Sequence, residues 1–309
     1  MRVAIFGTGG VGGYFGGRLA ASGADVSFVA RGAHLLALQK NGLCIKSPLG
    51  DIHVPAVNAT DDPASIGPAD LVFFTVKLYD TESATRALKP LIGANTIVVP
   101  LQNGVDSVET LTRAIGSEHV AGGTCYLATV ISEPGVIRHT AMNRLIFGAV
   151  GNNPAASSSL RELLAMCLRA GVEAVLSPNI QVDIWAKFVR LSVFSGMTAV
   201  TRCPIGVLRD NPALSELMRG ALKESMAVAL ASGVPLTDAL IDEVQVATAA
   251  LPYNARSSML EDLERGRRLE LPWLSGAVVR IGQELGVPTP IHHFIAAILA
   301  PHVNGAPER

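Results

Sequence analysis

A run of glycines near the amino terminus, Gly7-Thr8-Gly9-Gly10-Val11-Gly12, follows the apolar segment Val3-Ala-Ile-Phe6 and leads into a helix-compatible stretch ending near Ala21. That order suits the holding of a pyrophosphate. Gly7 permits a tight turn, Gly9 has no Cβ to keep a phosphate from the backbone N–H groups, and Gly12 lets the helix lie close to the strand. The helix N-terminus then points its N–H groups at the phosphates. Glycine patterns are common in ordinary loops, so the strand before this one and the helix behind it carry the weight. The chemistry indicated is dinucleotide binding.

The next discriminating position lies at the end of the strand candidate Val26-Ser-Phe-Val-Ala30. NAD-specific cradles place a carboxylate there, on the ribose 2′-hydroxyl. Here the residues are Arg31-Gly32, and the nearest acid, Asp25, precedes the strand. A guanidinium at this point can pair with a 2′-phosphate, which favours NADP(H) over NAD; the plain alternative is a solvated surface arginine. Two further strand candidates end in polar residues, Phe73-Phe-Thr-Val76 before Lys77 and Ile97-Val-Val-Pro-Leu101 before Gln102-Asn103-Gly104. Ligands bind at the carboxyl edge of parallel sheets, so Lys77 and Asn103 are placed to meet nicotinamide, ribose or substrate. Asn103-Gly104 would equally serve as a simple turn.

The elements that must position these residues can be read from hydrophobic patterning. Val3–Phe6, Val26–Ala30, Leu71–Val76 and Thr96–Leu101 are continuous apolar runs separated by helix-like stretches or turns, the signature of a parallel sheet buried on both faces. Shorter candidates, Ala121–Ala128, Val136–Thr140 and Arg144–Phe147, with Glu133-Pro-Gly135 as a turn, are expected to form hairpin pieces that extend this sheet. A helix is predicted over Leu160–Ala170 and a last strand over Val172–Leu176. After Pro178 the pattern is helical throughout, starting from a long helix that Asn179 can cap. Further periodic runs cover Ala213–Ala231, Asp238–Leu251, Ser257–Leu263 and Leu271–Leu285, with helix-ending glycines at Gly233 and Gly286. The expected architecture is α/β: a Rossmann-type dinucleotide-binding domain over residues 1–178, followed by an all-helical domain over residues 179–309, without a flexible linker.

Composition narrows the partners. With 309 residues, 49% hydrophobic content and a net charge of −1, the chain can bury two cores and has no electrostatic footprint for nucleic acid or an anionic membrane. A small-molecule substrate is the better expectation. No signal-peptide core or membrane-spanning run is evident, so a cytoplasmic location is expected. Cys44, Cys125, Cys167 and Cys203 are too scattered for a disulfide framework or a zinc site. His292 and His293, adjacent on a helix, point about 100° apart and read as solvated rather than as ligands of a shared metal. The helical half has enough apolar periodicity for a homodimer, though a monomer with a large interdomain interface would look the same.

These pieces occur in the order and spacing of a known family. The glycine turn, Arg31, Lys77, Gln102-Asn103-Gly104, Ile184-Trp-Ala-Lys187, Asn254-Ala-Arg-Ser-Ser258-Met-Leu-Glu-Asp262 and Arg268-Leu-Glu270 together resemble the ketopantoate reductases (2-dehydropantoate 2-reductases) over essentially the whole chain. The resemblance implies NADPH-dependent reduction of a 2-oxo acid to the 2-hydroxy acid, and a helical domain like the C-terminal domain of 6-phosphogluconate dehydrogenase. Hydride delivery to a ketone builds negative charge on its oxygen, which calls for a proton donor or cation there. Lys187 matches the family's catalytic lysine, and its apolar neighbours Trp185 and Phe188 would lower its pKa by desolvation. Glu270 matches the acid that contacts substrate and supports the lysine. Ser258 matches a serine that holds the substrate carboxylate, and Asn103 an asparagine between cofactor and substrate. Read without the family, Lys187 is a surface helix residue, Glu270 a helix N-terminal acid and Ser258 a helix cap.

One departure concerns specificity. Family members usually carry asparagines four and eight residues after the lysine, on the same helix face; this chain has Leu191 and Ser195. Leucine cannot hydrogen-bond, so a more apolar 2-oxo acid becomes a reasonable substrate. Arg190, Arg202 or the Arg265-Gly-Arg-Arg268 cluster would be replacement carboxylate ligands. Two other activities fit the same plan, an NADP-dependent 3-hydroxyacid or sugar-acid dehydrogenase and a non-catalytic NADPH sensor.

Overall fold

The computed structural model describes residues 1–151 and 154–307. Its contacts divide the chain into two compact units, Met1–Gln102 with Asp106–Asp183, and Asn103–Val105 with Ile184–Arg309. Pro178, where the sequence changes character, lies two residues before the helix Ile180–Thr201 that runs through the division.

In the first unit, β1 (Arg2–Phe6), α1 (Gly10–Ala21), β2 (Asp25–Val29) and α2 (Gly32–Asn41) open a β-α-β pattern with β1 and β2 parallel. Three short strands follow, β3 (Leu43–Lys46), β4 (Ile52–Val54) and β5 (Asn58–Thr60), and then β6 (Leu71–Phe74), α3 (Thr81–Leu88), β7 (Ile97–Pro100) and α4 (Ser107–Ile115). The parallel sheet has the order β5-β2-β1-β6-β7. Its central strands are buried on both faces, as their unbroken apolar runs require.

The later strands depart from expectation. β8 (Ala121–Glu133) and β9 (Val136–Ala149) form one long antiparallel hairpin, and with β3, β4 and β10 (Glu173–Leu176) they build a second sheet of order β10-β9-β3-β4. They do not extend the first sheet: among the described residues the backbone pairing to it is the isolated bridge Val98–Val120, just before β8, and Gly123 of β8 packs against Val99 and Pro100 of β7. The hairpin prefers the edge offered by β3, whose Cys44–Lys46 pair in parallel with Val136–Arg138. Residues 43–46 and 52–54 are too short to announce themselves by periodicity, so this edge was not legible in sequence. α5 (Pro154–Arg169) packs on β9 and β10 and covers the second sheet.

α1 lies pressed between the two sheets, which explains its glycines. A Cβ on Gly12 or Gly16 would strike Ile5 of the first sheet, and one on Gly13 or Gly17 would strike Ile137 or Ile45 of the second. Tyr14, Phe15 and Leu19 fill the space that remains, in a core with Phe28, Phe73, Leu43 and Phe147. Phe6, Val72, Phe74 and Val98 form a second core on the opposite face of the parallel sheet, with Leu88 of α3 and Leu111 of α4.

The second unit takes most of α6 (Ile180–Thr201) and continues through α7 (Ile205–Asp210), α8 (Pro212–Ala231), α9 (Ala239–Ala249), α10 (Ser258–Glu264), α11 (Ser275–Leu285) and α12 (Pro290–Leu299). Its helix ends follow local rules. Asn211 accepts from Leu214 N at 3.2 Å to cap α8, with Pro212 at the first position. Gly286 ends α11 in the left-handed conformation at φ 69°. Glu224 of α8 accepts from Ile291 N and His292 N at 2.9 and 3.0 Å, so a buried-side carboxylate caps α12. His292 is fully buried, contrary to its expected solvation, because α12 turns it onto α8: its Nε2 lies 3.1 Å from Ala221 O and 2.8 Å from Ser225 Oγ. Its neighbour His293 is exposed, which separates the pair. No helix among the described residues is long and apolar enough to cross a membrane.

Candidate active site

The glycine turn is held from behind. Thr8 N and Oγ1 donate to Val29 O at 2.9 and 3.0 Å, and Thr75 Oγ1 donates to Gly7 O at 2.7 Å, pinning the turn to β2 and to the end of β6. Gly7 has φ +102°, and a Cβ there would lie 2.8 Å from Val76 N. Gly12 would place one 2.5 Å from both Gly7 O and Thr75 Oγ1. Both glycines are therefore demanded by the protein itself. Gly9 is not. Its φ of −87° suits any residue, and a Cβ there would meet no protein atom within 4 Å. Beside it α1 starts without a side-chain cap. An open space next to uncapped helix N–H groups, with a glycine that packing does not need, fits a bound pyrophosphate. The Thr8 side chain is turned back onto Val29 and is buried, while Val11 and Gly10 are half-buried at the helix start.

Arg31 stands at the start of α2, exposed, and its guanidinium pairs with no carboxylate among the described residues. Asp25 is exposed at the opposite end of β2. Three residues after Arg31, His34 Nδ1 accepts from Gly135 N at 3.0 Å, which leaves Nε2 carrying the proton. Burial lowers its pKa, opposed by a backbone interaction with Thr8. Its Nε2 and Thr129 Oγ1 are buried without hydrogen-bond partners, and Thr129 Oγ1 lies 2.9 Å from where a Gly10 Cβ would sit. Neither residue belongs to a motif, and neither was signalled by the sequence.

The two polar strand ends behave differently from one another. Lys77 is exposed at the head of a 3₁₀ turn, Leu78–Asp80. Gln102 is turned inward: its Nε2 donates to Val76 O and Thr81 Oγ1, each at 2.9 Å, and its Oε1 accepts from Ser107 Oγ at 2.8 Å. It therefore locks the loop after β6 to the loop after β7. Asn103 follows and is half-buried, and its Nδ2 donates to Glu270 Oε2 at 3.1 Å. Gly104 at φ +82° completes the turn, with Trp273 O 2.9 Å from its missing Cβ. The turn reading and the ligand reading of Asn103-Gly104 are thus compatible, since the turn presents the amide to the acid.

Glu270 is 8% exposed and heads the 3₁₀ turn Leu271–Trp273. Lys187 is also 8% exposed, in α6, with Trp185 and Phe188 buried beside it and in ring contact with each other. Leu191 and Ser195 continue its helix face at four and eight residues' spacing. Leu191 is half-buried, whereas Ser195 is fully buried and its Oγ has no hydrogen-bond partner. The cap of α10 is Ser257: its Oγ accepts from Leu260 N at 3.0 Å and shares a 2.7 Å hydrogen bond with Thr198. Ser258 is left exposed and free of the capping role.

The alternative arginine ligands are placed elsewhere. Arg265 and Arg267 face Glu261 and Asp262 on the surface at 3.7 Å each, and Arg268 is exposed beside them. Arg190 lines a separate pocket with residues of α7, α8 and α9. Arg202 is exposed, with φ 55° at the end of α6. No cluster of histidine, cysteine, aspartate or glutamate among the described residues could hold a metal.

Comparison with known proteins identifies the family. Residues 3–152 match the family model described as ketopantoate reductase PanE/ApbA, and residues 179–302 match the model of its C-terminal region. The chain belongs to the ketopantoate reductase family. The 2-dehydropantoate 2-reductase of Archaeoglobus fulgidus is 34% identical, over 96% of this chain and 95% of its own length. The crystal structure of a ketopantoate reductase from Ralstonia eutropha JMP134 is 35% identical, covers 98% of both chains and superposes with a TM-score of 0.89. A D-mandelate dehydrogenase in a ternary structure with NADH and anilino(oxo)acetate shares the fold at a TM-score of 0.90 and 20% identity. This ketopantoate reductase relative is accordingly a dinucleotide-dependent oxidoreductase of the CH–OH class.

Proposed function

We propose that the chain reduces a 2-oxo acid, 2-dehydropantoate or a related branched or apolar one, to the 2-hydroxy acid with NADPH. Residues 1–178 would hold the cofactor and residues 179–309 the substrate and the catalytic groups. The hydrogen bond between Asn103 and Glu270 supports this reading most directly. It joins, within the second unit, an amide and a nearly buried acid that are remote in sequence.

When bound, the dinucleotide supplies the hydride to the substrate's carbonyl carbon. Gly10, Val11 and Gly12 would offer backbone N–H groups to its phosphates across the open space at Gly9, whose own N–H donates to Gly7 O at 2.7 Å; Thr8 shapes the turn, and Lys77 and Asn103 would border the ribose and nicotinamide. Arg31 would pair with the 2′-phosphate, because its guanidinium is exposed and unpaired at the strand end. Lys187 holds the proton that the carbonyl oxygen takes up as negative charge develops on it. Glu270 orients Asn103 by accepting its Nδ2 hydrogen bond and, as the family resemblance implies, would support Lys187 and contact the substrate. The Ser258 hydroxyl, exposed and not spent on capping, would donate to the substrate carboxylate.

Leu191 and the buried Ser195 favour a branched apolar 2-oxo acid over one whose extra hydroxyl needs a partner. Leaving a buried polar group unpaired costs about 1–3 kcal/mol, roughly 10- to 100-fold in kcat/KM. The test is a panel of 2-oxo acids, including 2-dehydropantoate and 3-methyl-2-oxobutanoate, each with NADPH and NADH. A higher kcat/KM for the apolar acid with NADPH is expected. Turnover of 3-oxo acids in preference to all 2-oxo acids would overturn the reading.

A further inference from the structure

Within the helical unit, α6, α7, α8 and α9 surround a cavity of about 160 Å³ that the proposed reduction does not use. Its volume is comparable to that of an engineered cavity of about 150 Å³ that takes up benzene. The floor is apolar, made by the buried side chains of Val193, Met218, Leu222 and Val244. Beside further apolar lining from Phe194 and Ala249, the cavity is bordered by three cations, Arg190, Arg209 and Arg219, with no aspartate or glutamate among the lining residues.

The arginines are not equivalent. Arg209 is immobilised, since its Nη1 donates to Ala249 O at 2.9 Å and Leu251 O at 3.2 Å while its Nε meets Asp210 at 3.2 Å. Arg190 has its own interactions within the protein. Arg219 is exposed on α8 and pairs with no carboxylate among the described residues, so its guanidinium is available at the rim. An apolar floor of benzene size beneath an available, planar two-pronged donor matches one chemical class, a compact monocarboxylate.

We infer that this cavity is a second binding site, for a small carboxylic acid with a branched or aromatic body, whose carboxylate is taken by Arg219 and whose body lies on Val193, Leu222 and Val244. Lys187, Glu270, Asn103 and Ser258 are absent from its lining, so it is distinct from the proposed reduction site. The inference does not depend on which oxo acid is reduced or on which dinucleotide is used.

Benzoate is a suitable probe because it has no ketone to reduce, and benzamide is its neutral counterpart. Calorimetric titration of the full chain should show one benzoate site and binding of benzamide about 10-fold weaker or less. Hydrogen exchange should localise the protection to α8 and α9. Arg219→Gln, on the surface, should weaken benzoate about 10-fold, and Thr248→Trp should block the mouth from a half-buried helix position. If the Trp variant does not fold, the Arg219→Gln titration and the exchange map decide. Equal benzoate affinity in Arg219→Gln and the wild type, or protection at α10 and the 271–273 turn instead, would overturn the assignment.

Discussion

Replacing Gly9 and Gly12 separately with alanine should divide the demands of the cofactor from those of the fold. At Gly9 the backbone already has an L-residue conformation, φ −87° and ψ −159°, and the new Cβ meets nothing within 4 Å. Restricting the unfolded chain would stabilise by about 0.4–1 kcal/mol, and alanine as a poorer helix cap than glycine would cost a comparable amount. The net change is expected within about 0.5 kcal/mol, a shift in melting temperature of no more than about 2 °C for a chain of this size. At Gly12 the Cβ falls 2.5 Å from Gly7 O and from Thr75 Oγ1, and 2.8 Å from Ile5 Cγ2. Overpacking costs about 1–3 kcal/mol, and displacing Thr75 from its bond to Gly7 O adds about 1 kcal/mol. Gly12→Ala should therefore melt several degrees lower. The order reverses for NADPH: Gly9→Ala keeps its stability and loses at least about 10-fold in affinity, because one methyl separates phosphate oxygens from charge-assisted N–H donors. Calorimetric melting and a fluorescence titration with NADPH measure the two quantities. Unchanged NADPH affinity in a stable Gly9→Ala protein would refute the assignment of that open space to the pyrophosphate.

Four further outcomes are expected. Lys187→Ala should lower kcat about 10³-fold in single-turnover reduction with NADPH binding retained, and unchanged turnover would remove Lys187 from the chemistry. Arg31→Ala should raise KM for NADPH about 10- to 100-fold and leave that for NADH within about 2-fold; equal losses for both would assign Arg31 another role. Burial lowers the pKa of His292 from its ordinary 6.5 to about 4. The unfolded chain therefore gains a proton below about pH 6.5 that the folded chain resists until pH 4, so this residue's contribution weakens as pH falls through that window. The loss amounts to about 3 kcal/mol by pH 4, and His292→Gln should flatten the denaturation profile there. Ser257→Ala should cost about 1–2 kcal/mol in urea denaturation, through the lost α10 cap and the Thr198 bond, whereas Ser258→Ala should leave stability unchanged and raise KM for the oxo acid about 10-fold.

Several elements could be read before folding because their causes are local. The β1 strand and glycine turn, the helices α8 to α11 and the helix-ending Gly286 follow from periodicity and terminal chemistry within a few residues. The second sheet could not be read this way. β3 and β4 are four and three residues long, and β9, the partner of β3, lies about ninety positions away. The glycines of α1 illustrate the same division. Gly12 announced a close helix-to-strand contact, but Gly13 and Gly17 are explained only by the second sheet on the other side of the helix.

The site shows the same boundary at the level of side chains. Residue order established a dinucleotide cradle and a family of reductases, because a turn that must admit phosphate and a helix that must follow it are contiguous in the chain. Only the folded structure decided that Ser257, rather than Ser258, caps α10 and that Gln102 faces inward while Asn103 reaches Glu270. It also buried Ser195 and His292 and drew Arg190 into a separate cavity. Spacing along one helix or strand states which residues share a face. What that face meets is set by segments far away in the chain, and so by packing alone.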